Sequence, residues 1–158
     1  FIIIFSFFFI RWNKKPDINN GINIVFGIDN NYVLYNLLTV NSILRNNKSG
    51  NNYNFYILEN GISGWNKFKI KSFVALNNQY VKFINVDTDI IDNGDDWFRN
   101  SLEHKHVSRI SLARLLLADK LPQYMNQVLY LDSDILVLSD LAELYNSDIS
   151  EYAAAMTL

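Results

Sequence analysis

The sequence predicts an α/β fold in which helices cover both faces of a mainly parallel sheet. Apolar segments of strand length alternate with segments of helical periodicity, which is the element order of parallel sheets. The strand segments are rich in β-branched and aromatic residues, as strands buried on both faces are. With 158 residues, 49% hydrophobic and 19% charged, the chain has the size and composition of one folded domain.

Residues 1–21 are predicted to be an apolar segment and a linker outside the fold. The apolar run at 1–10 is followed by three basic residues within five positions. It is too short for a membrane-spanning helix, which needs roughly 20 apolar residues. We interpret it as translated sequence upstream of the true start, with an anchor or signal remnant and a buried strand as alternatives. Pro16 and the Asn-Asn-Gly triplet at 19–21 indicate a linker, so the domain is predicted to cover 22–158.

The first half of this domain is predicted to contain three strands and two helices. Asp29, Asn30 and Asn31 follow the first strand and favour a helix N-cap, as Ser63 does for the second helix. In chain order, the predictions are a strand at 22–28, a helix to about 45, a strand at 54–59, a helix to about 76 and a strand at 80–86.

The buried faces of these two helices are predicted from apolar side chains at helical spacing. Lys69 is the one charge that intrudes on the second of these faces. The predicted face residues are Val33, Leu37, Val40 and Leu44 on the first helix, and Trp65, Phe68, Phe73 and Leu76 on the second.

The second half is predicted to begin with a loop at 87–100. Ser108 is interpreted as a helix cap rather than a nucleophile, because no base partner is identifiable for it. The elements that follow are a helix from Ser108 through Ala118, ended by Leu121 and Pro122, a strand at 127–131, a helical turn at 141–145 and a last strand at 152–157.

The alternation of elements also predicts where a ligand binds. In open parallel sheets, ligands lie beyond the carboxyl ends of the strands. That rule indicates three segments, at 27–32, 86–89 and 132–134. It makes Gly27 and Ile28, at the end of the first strand, candidate ligand-contacting residues.

Asp132 and Asp134 are the strongest candidates for chemistry. Their Asp-x-Asp spacing is a weak signal alone, since Asp87 and Asp89 repeat it after another strand. The second pair, however, lies inside an apolar run, where ionised groups are costly unless they are paired or bind a metal. Side chains two apart on an extended chain point the same way, so both carboxylates can converge on one Mn²⁺ or Mg²⁺ ion. Such an ion bridges a diphosphate and neutralises charge on a leaving nucleotide.

Two other interpretations of this acid pair stay open. Asp132 can end the strand, cap a turn and face water. The Asp-x-Asp of haloacid-dehalogenase-type phosphatases supplies a nucleophile, but that motif has Thr or Val two places after its second Asp and opens its domain. Leu136 occupies that place here, and only residues 135–158 follow the pair, so the phosphatase interpretation is disfavoured.

Charge and cysteine content exclude several classes of function. The net charge of −2 and the pI near 5.6 give no general attraction to nucleic acid or to an anionic membrane, and no nucleic-acid partner is expected. The absence of cysteine excludes disulfides, thiolate metal ligands and cysteine nucleophiles. It also fits a reducing cytoplasm, the location we expect, with association at the inner face of the membrane left open.

Three segments together resemble glycosyltransferase family 8, which includes bacterial lipopolysaccharide galactosyl- and glucosyltransferases and glycogenin. They lie at 24–32, 107–115 and 128–134, in the family's order and at about its separations. The resemblance runs from about 22 to 158. It implies a GT-A fold, a Rossmann-like sheet that is truncated here, with an Mn²⁺-dependent UDP-sugar donor and retention at the anomeric carbon.

The resemblance also implies roles for donor-binding residues. Asp29 and Asn31 match positions that contact the uridine part, and Tyr32 matches an aromatic residue that stacks on the base. Arg114 matches an arginine near the donor sugar and diphosphate, and Ser133 is placed to touch the ribose through its hydroxyl or its backbone. By themselves, Tyr32 is equally a core or rim tyrosine, and Arg114 is a charge on a solvated helix face.

The acceptor side is mostly missing from this sequence. His106 matches a family histidine near the acceptor, and His104 is interpreted as its exposed neighbour. The family's third metal ligand, a histidine, and most acceptor-binding residues lie in a C-terminal half that is absent here. Leu112 stands where relatives often carry Tyr. These departures put turnover by the 158 residues alone in doubt.

The function expected from the sequence is hexosyl transfer from a UDP-sugar to a glycan or lipopolysaccharide acceptor, with no nucleophile assigned. The alternative from another class is a truncated, inactive domain that binds a nucleotide-sugar without turnover. A nucleotidyltransferase that makes sugar nucleotides usually begins with a Gly-rich phosphate loop, and none follows the strand at 22–28. Neither the sugar nor the acceptor is named by the sequence.

Overall fold

The computed structural model describes residues 14–86, 109–149, 151–152 and 154–155. Its elements alternate strand and helix, as the sequence predicts. They are β1 (Ile22–Ile28), α1 (Val33–Arg45), β2 (Tyr53–Glu59), α2 (Gly64–Leu76), β3 (Tyr80–Asn85), a 3₁₀ helix (Arg109–Leu116), α3 (Leu117–Lys120), β4 (Leu129–Tyr130) and α4 (Ala142–Tyr145).

Within the described residues, the strands form one parallel sheet of four, in the order β3-β2-β1-β4. β1 pairs with β2 along its whole length, from Ile22 opposite Tyr53 to Ile28 opposite Glu59. β4 adds two residues at the other side of β1, with Leu129 opposite Ile24. All three pairings are parallel, which confirms the predicted α/β fold.

The core lies on both faces of this sheet. Side chains alternate along β1, so Ile24 and Phe26 enter a cluster with α1 and α2, whereas Val25 enters a second cluster with the 3₁₀ helix. β2 alternates in the same way. Because both faces of the sheet are covered, β1 and β2 are almost wholly enclosed. This burial on both sides explains why their sequences are apolar runs without polar alternation.

Helix α1 ends at Arg45 as predicted, but its N-cap differs from the predicted cluster at 29–31. The cap position is Tyr32, which makes no side-chain cap bond. Instead, the Asp29 carboxylate accepts hydrogen bonds from the backbone N–H of Asn31 at 2.8 Å and of Tyr32 at 3.2 Å. The cluster at 29–31 therefore forms a side-chain turn ahead of the helix. Val33 and Val40 are buried, which confirms the predicted inner face.

The predicted inner face of α2 is wrong. Trp65 is 66% exposed and its ring stacks on that of Phe68, with centroids 5.4 Å apart, on the outer surface. Ile70 and Val74 are buried instead. Both faces carry large apolar residues, so spacing alone could not choose between them. The cap is as predicted, because Ser63 Oγ accepts from the Asn66 N–H.

The predicted helix from Ser108 through Ala118 is correct in place and wrong in type. Residues Arg109–Leu116 form a 3₁₀ helix, and only Leu117–Lys120 are α-helical. A 3₁₀ helix has three residues per turn, so Ile110 and Ala113 lie on one face, and both are buried against the sheet.

The last predicted strand, at 152–157, is absent where the structure describes it. Tyr152, Ala154 and Ala155 belong to no strand, and the Tyr152 N–H donates to the Ile149 carbonyl in a turn. A turn hydrogen bond of this kind bends the backbone away from a sheet ladder. The predictions at 1–13, 87–108 and 156–158 lie outside the described residues.

The segment predicted as a linker contacts the sheet. The backbone N–H of Asp17 donates to Asn54 Oδ1, and the Asn54 amide donates back to the Asp17 carbonyl. The predicted division into 1–21 and 22–158 stays a prediction. No helix among the described residues has the length and apolar character needed to cross a bilayer.

Candidate functional site

The candidate site lies at the edge of the sheet where β1 and β4 end. The two strands are parallel neighbours, so their carboxyl ends meet at the same edge. The pairing continues one residue past β4, because the Leu131 N–H donates to the Val25 carbonyl at 3.0 Å. Asp132 therefore follows directly from a backbone position that is anchored to β1.

The loop after β1 presents a stiff turn with an exposed aromatic ring. Asp29 Oδ1 accepts from the two backbone N–H groups described above, so this oxygen shapes the loop. Asn31 is exposed beside it. The Tyr32 ring is 40% exposed, and its centroid lies 5.7 Å from that of Tyr35. The loop thus offers a polar amide and an aromatic face to a ligand.

Asn30 is a positioning residue of this loop that the sequence did not single out. Its Oδ1 accepts from the backbone N–H of Ser63 at 3.0 Å and from the side-chain amide of Asn66 at 2.9 Å. It thereby ties the loop after β1 to the first turn of α2. Its only signal in the sequence is membership of the polar triplet at 29–31.

The acid pair is exposed to solvent while the residue between its members is not. Asp132 and Asp134 are both exposed, whereas Ser133 is buried at 6% exposure. Residues 133 and 134 lie in a turn and not on the extended chain that the prediction assumed, so the convergence of both carboxylates on one cation stays a prediction. The Ser133 carbonyl accepts a hydrogen bond from Thr39, so the predicted ribose contact through the backbone would use the Ser133 N–H.

The positively charged side chain of Arg114 lies next to this pair of acids. An Arg114 guanidinium nitrogen lies 3.7 Å from Asp132 Oδ1, and the two side chains are 48% and 61% exposed. An exposed pair of this kind contributes little to stability. Its importance is positional, because the 3₁₀ helix anchors its buried face on the sheet and so delivers Arg114 to the edge that carries the acids.

Tyr130 joins Arg114 to the end of β1. The Arg114 guanidinium carbon lies 5.2 Å from the centroid of the Tyr130 ring, a cation–π distance. Burial raises the pKa of the Tyr130 phenol, so the ring stays neutral, and the nearby Arg114 offsets part of that rise. The sequence did not single out Tyr130, since a tyrosine within an apolar strand is ordinarily a core residue.

Gly27 is required by the hydroxyl of this tyrosine. A Cβ at position 27 would lie 2.8 Å from Tyr130 Oη, closer than real Cβ contacts allow, and 3.0 Å from the Ile110 carbonyl oxygen, which is a very tight contact. Gly27 is therefore explained by close packing of the 3₁₀ helix and β4 against β1. The next residue, Ile28, is fully enclosed, and its side chain belongs to the core.

The structure thus brings together most of the predicted site residues. Gly27 contacts Tyr130, Arg114 contacts both Tyr130 and Asp132, and the loop at 29–32 begins at the same edge of the sheet. Ser133 lies behind the acids, and its carbonyl faces α1. The predicted acceptor residue, His106, lies outside the described residues, as does the rival pair Asp87 and Asp89.

The two carboxylates suit a hard metal ion that also keeps ligands from outside the protein. Among the described residues, no group of three His, Asp or Glu side chains is placed to hold a metal. Two exposed carboxylates are the partial set with which Mg²⁺ or Mn²⁺ binds when phosphate oxygens and water supply the rest. The residues present therefore fit a metal that binds together with a diphosphate.

Comparison with known proteins assigns the chain to a family. The model of glycosyl transferase family 8 matches residues 23–158. The chain belongs to that family, and its fold is GT-A, of which the parallel sheet and its helices form the N-terminal part.

Curated relatives are similar along most of this chain. A putative glycosyltransferase of Haemophilus influenzae is 32% identical over 133 residues, which make up 84% of this chain and 38% of that protein. General stress protein A of Bacillus subtilis is 25% identical over 134 residues, 84% of this chain and 44% of that protein. The chain therefore spans less than half the length of these relatives.

Solved structures of LgtC are similar in fold. An active-site mutant of LgtC has a TM-score of 0.69 and 28% identity, covering 80% of this chain and 42% of that one. The galactosyltransferase LgtC in complex with donor and acceptor sugar analogs has a TM-score of 0.65 and 27% identity, covering 80% and 43%.

Proposed function

We propose that this chain is the donor-binding part of a metal-dependent, retaining glycosyltransferase that moves a hexose from a UDP-sugar to a glycan or lipopolysaccharide acceptor. The observation that carries the proposal is the meeting of Arg114 and Asp132, 3.7 Å apart, at the sheet edge where β1 ends. A cation and two acids at one edge, next to an exposed tyrosine, are the groups needed to hold a nucleoside diphosphate.

The proposed metal site consists of Asp132 and Asp134, with Mn²⁺ or Mg²⁺ as the ion. When bound, such an ion neutralises charge on the diphosphate leaving group. The exposed carboxylates are available to it without rearrangement of the core. With Asp132 engaged by such an ion, Arg114 would be released from its ion pair with Asp132 and would turn its guanidinium toward phosphate or sugar oxygens.

The remaining donor contacts are proposed from the loop after β1 and from the strand ends. Tyr32 stacks on the base. Its ring is partly exposed, and a nucleotide base can lie flat against an aromatic ring. Asp29 and Asn31 contact the uridine part, and the backbones of Gly27 and Ile28 line the floor. The Ser133 backbone contacts the ribose.

The acceptor and the surroundings of the enzyme are proposed more broadly. The complex of LgtC with donor and acceptor sugar analogs supports a sugar acceptor for this chain as well. We assign His106 to the acceptor side, and a cytoplasmic location fits the absence of cysteine. Association with the inner face of a membrane would bring a lipid-linked acceptor to the site. The acceptor hydroxyl attacks the anomeric carbon, and UDP leaves.

A nucleotide-sugar-binding domain without turnover is the second candidate. This candidate concerns the 158 residues by themselves, which span 38% and 44% of the two relatives described above. A site that holds the donor but not the acceptor would bind UDP-sugars and transfer nothing.

Calorimetry of UDP binding to the 158-residue chain, with and without Mn²⁺, tests the binding part of the proposal. We expect binding that requires Mn²⁺ and that is lost in Asp132→Asn. Asp119→Asn, at an exposed position on α3, is the matched control and should bind like the wild type. Metal-independent binding, or an unaffected Asp132→Asn variant, would overturn the metal site. Release of UDP from UDP-galactose or UDP-glucose with an added glycan then separates an enzyme from a binding domain.

A further inference from the structure

Helix α1 holds the segment that carries the acid pair through a row of polar side chains. Thr39, Ser42 and Asn46 are spaced three and four apart, so they share one face of the helix. Each of them hydrogen-bonds the backbone of residues 133–137. The segment has no strand partner there, since β4 ends at Tyr130.

The contact nearest the acids is that of Thr39. Its Oγ1 lies 2.7 Å from the Ser133 carbonyl oxygen and 2.8 Å from that of Ile135, so its single proton is shared between two carbonyls. These carbonyls lie on either side of Asp134. Thr39 is fully buried and Ser133 nearly so, and water therefore cannot replace the hydroxyl easily.

Two further contacts fasten the end of the same segment. The Val137 N–H donates to Ser42 Oγ at 3.0 Å, and the Asn46 amide donates to the Val137 carbonyl at 2.9 Å. The Val137 side chain is buried in the core that α1 shares with the sheet. The segment is thus fixed at Leu131 by β1 and at Val137 by α1, and between these two points Thr39 sets its path.

We propose that Thr39 is a positioning residue for the acid pair, in that its hydroxyl holds the Asp132–Asp134 turn in the shape that presents both carboxylates to a cation. The proposal rests on the proposed metal site and adds to it a residue that touches neither metal nor nucleotide. Its physical basis is that exposed carboxylates on an unpaired segment would otherwise be free to separate. Fixing the backbone before binding removes that entropic cost from the binding step.

The test compares Thr39→Val with Thr39→Ser. Valine keeps the branched shape and removes the hydroxyl, whereas serine keeps the hydroxyl and removes a methyl group. Both substitutions disturb a buried site, so both should lower the thermal midpoint. Only the valine variant should weaken Mn²⁺-dependent UDP binding, by about tenfold or more, with the serine variant within about threefold of the wild type. Equal binding by Thr39→Val and wild type, or equal losses in both variants, would overturn the proposal.

Hydrogen exchange provides a readout that needs no ligand. In Thr39→Val, the Val137 amide, which donates to Ser42 Oγ at the end of the segment, should exchange faster than in Thr39→Ser, while the amides of β1 and β2 stay protected. If the wild type binds no UDP, the proposed function fails, and unchanged exchange in this segment would separately reject the role of Thr39. If Thr39→Val does not fold, Ser42→Ala serves in its place, with faster exchange expected at Val137 first and no change there counting against the proposal.

Discussion

The guanidinium carbon of Arg114 lies 5.2 Å from the centroid of the Tyr130 ring. Arg114 is carried by the 3₁₀ helix and Tyr130 by β4, so this contact joins two elements that face each other across the end of β1. The flat guanidinium can rest on the ring and still direct its N–H groups toward Asp132 or toward a ligand. The contact therefore sets the direction in which the Arg114 guanidinium points.

Arg114→Lys should weaken Mn²⁺-dependent UDP binding by about tenfold, or about 1.4 kcal/mol. Lysine keeps the charge but loses the flat group that rests on Tyr130 and the forked donors that match phosphate oxygens. Calorimetry measures the effect. Arg45→Lys, in the last turn of α1, is the matched control and should bind like the wild type. An Arg114→Lys variant with full affinity would show that charge alone is used.

Gly27→Ala should lower the free energy of unfolding by about 1–3 kcal/mol, because the added methyl group meets Tyr130 Oη at 2.8 Å. In a Tyr130→Phe background the loss should be smaller, since the hydroxyl is gone. It should not vanish, because the Ile110 carbonyl oxygen remains at 3.0 Å. Denaturant unfolding of the four proteins in this double-mutant cycle gives the coupling energy. Strict additivity would contradict the close contact.

Asn36→Leu should raise the free energy of unfolding by about 1–3 kcal/mol. Asn36 is fully buried on α1, and neither atom of its amide has a hydrogen-bond partner among the described residues. Leucine has the same branched shape without polar atoms. Asn41→Leu, at a partly exposed position of the same helix, should leave stability nearly unchanged. A destabilised Asn36→Leu protein would indicate that the amide is used.

Stability should fall as the pH drops below about 4, and part of that fall should come from Asp140. Backbone N–H groups of Ala142 and Ser49 donate to its carboxylate and lower its pKa from 3.8. A pKa lowered by folding gives stability that is complete above the unfolded value and is lost as the pH falls toward the folded value. Thermal midpoints at about pH 6 and about pH 2.5 should therefore differ less in Asp140→Asn than in the wild type. Equal differences would reject this account.

The strands and the first helix were predictable because their signals are local. β1 is rich in β-branched residues, and α1 carries apolar residues at helical spacing. Each pattern therefore indicates which side chains of its own element are buried. α2 was harder, since Trp65 and Ile70 lie on different faces and are both apolar. Only contact with the sheet distinguishes the face that packs from the face that remains exposed.

The candidate site was predictable as a set of residues but not as an arrangement. The rule for strand ends and the family resemblance indicated the loop at 29–32, Arg114 and the acid pair. Neither could indicate Tyr130 or Thr39, because nothing in their local sequence marks them as more than core residues. The tie from Asn30 to the first turn of α2 was also not predictable, since it depends on a segment more than 30 positions away.

Sequence by itself determined the order of elements, the parallel sheet and the identity of the charged groups at its edge, since these follow from local periodicity and residue chemistry. Tertiary structure alone decided which groups meet. Thr39 contacts Ser133 across 94 positions of sequence, and Gly27 receives the hydroxyl of Tyr130. Such contacts depend on the register of β4 against β1 and on the packing of helices over both strands. Local sequence patterns do not encode them, because the segments come together only when the core forms.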